Sequence, residues 1–132
     1  MGFRPEFDPV NRFLLMRFEG HITDELLAEF YQAIRKYSTA TDALAGIWDF
    51  SSVTEIAVTT ECVQRLASQE PAMPDATRRP RIIVVVSTLG FGLARMFQMI
   101  GESTRPLLKV VHSMDEALAA LGIQSPHFEP LE

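Results

Sequence analysis

Ile82-Ile83-Val84-Val85-Val86 is a run of β-forming apolar residues with no polar residue between them. A strand with one wet face alternates apolar and polar side chains. This run does not, so both of its faces must be covered, as in the middle of a parallel sheet. Covering both faces takes helices, and parallel neighbours are joined by right-handed crossovers. A strand over Arg81–Ser87 therefore constrains the chain to an α/β fold.

The surrounding sequence supplies the rest of that fold. Residues 3–8 and 12–19 read as strands: Phe3, Pro5 and Phe7 alternate with charged residues, and Leu14, Met16 and Phe18 interleave with Phe13, Leu15 and Arg17. Asp8-Pro9-Val10-Asn11 between them is rich in turn formers, which predicts an antiparallel hairpin. Thr23 is a good N-cap, and Leu26, Leu27, Phe30, Ile34 and Tyr37 fall on one stripe, predicting an amphipathic helix over 24–37. Leu44–Phe50 reads as a strand ending at Asp49-Phe50-Ser51-Ser52. A second helix follows over about 60–69, capped by Thr59 or Thr60, with a loop over Pro71–Pro80.

Beyond the apolar strand, residues 91–102 read as a helix and Leu107–Val111 as the last strand. Ser113 and Glu116 form a capping box for a helix that ends at Gly122. The expected fold is α/β, with a mixed, mostly parallel sheet of about five strands in the order ββαβαβαβα and about four helices. Residues 1–123 form one domain in this reading, and 124–132 a loose tail.

Charge and composition narrow the function classes. The net charge of -5 opposes general nucleic-acid binding, which needs a basic face. One cysteine, Cys62, excludes an internal disulfide and a multi-cysteine metal site. The chain shows no signal-peptide pattern and no apolar run of the roughly 20 residues that a membrane span requires. A cytoplasmic protein without an integral membrane segment is expected.

Ligands of open α/β sheets sit beyond the carboxyl ends of the strands. That rim carries Asp49 and Ser51, then Ser87 and Thr88, then His112 and Ser113. Asp, Ser and His there are compatible with a small enzyme using Asp49 and His112, but the hydrolase nucleophile elbow is missing. Gly90-Phe-Gly92-Leu-Ala-Arg95 follows a buried strand, as a dinucleotide-binding loop does. Arg95 replaces the third glycine, so the glycines read as a tight turn and close helix packing. No cofactor is implied.

His21, His112 and His127 have no ligand-like spacing, so no metal site is expected. Arg78-Arg79-Pro80-Arg81 reads as a solvated basic loop, and Trp48 and Cys62 as core. In the 91–102 helix, Leu93, Met96, Phe97 and Ile100 make one stripe. Phe91 and Met99 widen the apolar surface beyond it, as for a partner or an apolar ligand.

Phe91-Gly92-Leu93-Ala94-Arg95-Met96-Phe97, Met114-Asp115-Glu116-Ala117-Leu118 and Gly20-His21-Ile22-Thr23 resemble the motifs of the SpoIIAA-like family, which shares the STAS fold of anti-sigma-factor antagonists. The resemblance covers most of residues 3–121. It implies a non-enzymatic regulatory or binding module acting through a protein partner or an apolar small molecule, with Phe91, Leu93, Met96, Phe97 and Met99 as contact residues. A homodimer would also cover such an apolar face.

The antagonist branch carries a phosphorylated residue at the start of the second helix. Asp49-Phe50-Ser51 matches the first half of its pattern, and Thr59 falls on the acceptor position. The Asp and Gly of the family's Asp-Ser-Ser-Gly are replaced by Ala57 and Thr60.

Overall fold

The computed structural model describes residues 2–73 and 78–131. Its elements run β1 (Phe3–Asp8), β2 (Phe13–Thr23), α1 (Asp24–Thr41), β3 (Ala45–Ala57), α2 (Thr60–Ser68), β4 (Arg81–Val84), α3 (Thr88–Ile100), β5 (Leu108–Val111), α4 (Met114–Leu121) and β6 (Glu129–Pro130). Among the described residues they form one six-stranded sheet in the order β5-β4-β3-β2-β1-β6. β2 to β5 are parallel, and β1 is antiparallel to both β2 and β6.

The strands behave as their periodicity requires. In β4, Ile83 and the following Val85 face one core cluster while Ile82 and Val84 face the other. In β2, Leu14, Met16 and Phe18 join the first cluster, and Phe13 and Leu15 the second. The first cluster lies under α1, α2 and α3. The second is smaller, and is closed by α4 with Ile123 and Phe128.

The caps explain the helix boundaries. The hydroxyls of Thr23, Thr59, Ser87 and Ser113 each accept a backbone N–H from the first turn of α1, α2, α3 and α4. Gly122 ends α4 at φ +70°, a left-handed conformation that costs a glycine little.

Three expectations are corrected. β3 does not end near Asp49-Phe50-Ser51-Ser52 but continues to Ala57, because β2 runs on to Thr23 and pairs with it as far as Thr23 opposite Ala57. Gly20, at φ +70°, sits where the register of that pairing shifts. The third helix starts at Thr88, not 91, so Gly90 and Gly92 lie inside a helix and not in a turn. The tail is not loose. Its Glu129–Pro130 segment adds a sixth strand beside β1, and the Phe128 ring meets Phe13 edge-on at 5.0 Å. Part of the loop expected over Pro71–Pro80, at positions 74–77, lies outside the described residues.

Candidate functional site

A cavity of about 130 Å³ lies between the sheet and helices α1, α2 and α3. Its floor is the sheet face bearing Ile22, Trp48, Phe50, Ile83, Val85 and Leu108. Its walls are Leu27, Phe30, Tyr31 and Ile34 of α1, Val63 and Leu66 of α2, and Gly90, Leu93, Ala94 and Phe97 of α3. Among the described residues the lining is apolar apart from Tyr31 and two arginines, Arg81 and Arg105, and it includes no carboxylate.

The aromatic wall is held by ring contacts. Phe18 stacks on Phe50 with centroids 4.2 Å apart and meets Phe30 edge-on at 4.6 Å, while Phe30 meets Trp48 edge-on at 5.5 Å. These contacts fix the wall's shape without filling the space beside it.

The two arginines differ in how they are satisfied. Arg105 is 2% exposed. Its guanidinium donates to the carbonyls of Leu66, Ala67 and Gln69 at the C-terminal end of α2, and to the Tyr31 hydroxyl. Carbonyls at a helix C-terminus carry partial negative charge, so this arginine completes the end of α2. It also lies over the Phe97 ring, 4.8 Å from the centroid.

Arg81 is 4% exposed, at the position of β4 that shares a face with Ile83. Its Nε and Nη2 are buried with no hydrogen-bond partner among the described residues. Burial, reinforced by the nearby charge of Arg105, lowers its pKa to about 10, so it remains a cation at neutral pH.

The residues singled out from the sequence separate in space. Leu93 and Phe97 line the cavity. Phe91 instead stacks on His112 at 4.3 Å, Met96 is half-buried outside the cavity, and Met99 is 66% exposed. The stripe of α3 that faces the cavity is Gly90, Leu93, Ala94 and Phe97, and Ile100 is exposed. Small residues set that phase. A Cβ on Gly90 would stand 2.5 Å from Val85 Cγ1 and 2.8 Å from Ile56 Cδ1, so the helix approaches the sheet along its glycine.

The strand-end rim is not one site. Asp49 is 3% exposed in the middle of β3, accepts the Ser51 N–H and lies 3.6 Å from Arg17 Nη1. Arg17 in turn pairs with Glu6 at 2.7 Å. No hydrogen bond or ion pair joins Asp49 to His112. Ser51 and Thr88 are exposed.

Thr59 caps α2, and its hydroxyl donates to the Asp24 carboxylate at 2.8 Å. The Thr59 backbone N–H and hydroxyl together hold the Asp24 carboxyl below its ordinary value. A phosphoryl group on Thr59 would face that carboxylate. The Cys62 thiol is buried, and burial pushes its pKa up. Among the described residues no group of His, Cys, Asp or Glu could hold a metal ion, and no helix is long and apolar enough to cross a membrane.

Sequence reading missed both cavity arginines. Arg81 belongs to the run Arg78-Arg79-Pro80-Arg81, where clustered charge suggests a solvated loop. Of these, Arg78 is exposed and Arg79 Nη1 donates to the Ala43 carbonyl. The available signal was period two: a strand covered on both faces that begins at Arg81 buries Arg81 as well as Ile83.

No protein-family model matches the sequence, and no curated protein is significantly similar to it.

Proposed function

We propose that the chain is a cytoplasmic, non-enzymatic binding module of the SpoIIAA-like, STAS-like type, which holds an apolar small molecule between its sheet and helices α1–α3. The cavity carries this reading. Most cores are close-packed, with few voids larger than a water molecule. Here about 130 Å³ remains among aromatic and aliphatic side chains. Apolar enclosure with a few placed polar groups is the usual make-up of a small-molecule site.

Trp48 is the chain's one tryptophan and stands in the cavity floor, so its emission reports occupancy. Titration with small apolar molecules should shift that emission, and native mass spectrometry should show adducts that vanish on denaturation. A silent Trp48 across a panel of such molecules, with no adduct, would sink the reading.

A protein partner or a second copy of the chain is the other reading, favoured by Leu89, Met99 and Ile100, which are exposed on the outer side of α3. Light scattering across a concentration series tests it for self-association. A chain mass that stays monomeric would count against the dimer.

A further inference from the structure

We propose that the ligand is an amphiphile with a carboxylate head, and that the head pairs with the Arg81 guanidinium inside the cavity. This rests on the apolar-ligand reading and adds the charge that such a ligand must carry.

The argument starts from what Arg81 lacks. A buried cation without a partner is among the most costly groups a fold can carry, because it gives up hydration and receives nothing in return. Nε and Nη2 are both buried and both unpaired among the described residues. They belong to one fork of the guanidinium, the geometry that a carboxylate meets with two parallel hydrogen bonds.

Among the described residues nothing else around the cavity takes that role. Among the described residues its lining includes no Asp or Glu, and the second lining cation, Arg105, adds positive potential instead of relieving it. Arg105 already donates to three carbonyls and the Tyr31 hydroxyl, which leaves Arg81 as the open donor. The rest of the lining is aliphatic or aromatic and offers an anion's tail the surface that its head would reject.

Size limits the tail. An apolar cavity of roughly 150 Å³ accommodates benzene, so this one suits on the order of six carbons. Short fatty acids and small aryl carboxylates fit that description.

The test uses the full chain with hexanoate, hexan-1-ol and hexylamine at neutral pH, read by calorimetry and by Trp48 emission. Hexanoate should bind about tenfold to a hundredfold tighter than hexanol, the span expected of hydrogen bonds to a charged group, with hexylamine weakest. Arg81→Met should bring hexanoate down to the level of hexanol in the same variant. Arg81→Lys, which keeps the charge and loses the fork, should retain only part of the preference.

Equal binding of hexanoate and hexanol by the unaltered chain would overturn the carboxylate proposal and leave the apolar-ligand reading standing. A preference that survives in Arg81→Met would overturn it too, by placing the head elsewhere. Binding of none of the three would remove both.

Discussion

Arg81 and Arg105 show how one residue type takes opposite roles in the lining of one cavity. Arg105 ends α2 by donating to its last carbonyls, whereas Arg81 is buried with Nε and Nη2 unpaired. The unpaired cation should make Arg81 a stability liability in the ligand-free chain. Arg81→Met keeps the unbranched stem and removes the charge, so it is expected to stabilise the fold by about 1–3 kcal/mol. Thermal unfolding would show this as a rise of several degrees in Tm, and a fall would mean that the guanidinium contributes to the fold.

Asp8 is the opposite case. It is 0% exposed, yet its carboxylate accepts the Val10, Asn11 and His127 backbone N–H groups and the Asn11 side-chain amide. Burial pushes its pKa up, and these hydrogen bonds outweigh that push and hold the carboxyl below its ordinary 3.8. Because the folded value is the lower one, the resulting stability is fully present above the unfolded value and is lost as pH falls through the folded value. Asp8→Ala should cost about 2–4 kcal/mol at neutral pH. Its urea midpoint should also fall less than that of the unaltered chain between pH 5 and pH 3, and parallel curves would refute the assignment.

At the scale of elements, α3 illustrates how small residues choose a helix's phase. Apolar count alone favours Leu93, Met96, Phe97 and Ile100 as its inner stripe. The sheet instead receives Gly90, Leu93, Ala94 and Phe97, because Gly90 lets the backbone come close to Val85. Two glycines in one helix then respond in opposite directions. Gly92→Ala meets nothing within 4 Å and should stabilise by up to about 1 kcal/mol through helix propensity. Gly90→Ala carries the same propensity gain but drives a Cβ against a stiff valine, for a net loss of about 1–2 kcal/mol. Urea denaturation of the pair checks this, and equal shifts would show that the helix can slide away from the sheet.

At the scale of the whole molecule, the two faces of the sheet have unequal cover. Three helices enclose the cavity side, and α4 alone covers little of the other. The C-terminal segment completes that second face. Phe128 packs on Phe13 and lies under the Arg17 guanidinium, the His127 N–H reaches Asp8, and Leu131 donates to the Pro5 carbonyl. Phe128→Ala should therefore cost about 1–2 kcal/mol, measured by equilibrium unfolding, although the residue lies beyond the last helix. No loss would mean that the segment is held by its backbone contacts alone.

Local signals settled most of the architecture. Caps at Thr23, Thr59 and Ser113, the helix stop at Gly122 and the non-alternating run at Ile82–Val86 act through near neighbours, so they can be read in one dimension. The length of β3 could not, since Ser51-Ser52 reads as a turn until β2 supplies the partner that extends it to Ala57. Nor could the docking of residues 128–131, which depends on an apolar gap left by other elements.

The cavity belongs wholly to the tertiary level. Its walls come from three helices and four strands far apart in sequence. Whether Arg81 is a solvated surface charge or a buried, unpaired donor is decided by which face of β4 meets those helices. Sequence fixes the alternation along a strand, but only packing determines what each face then encounters.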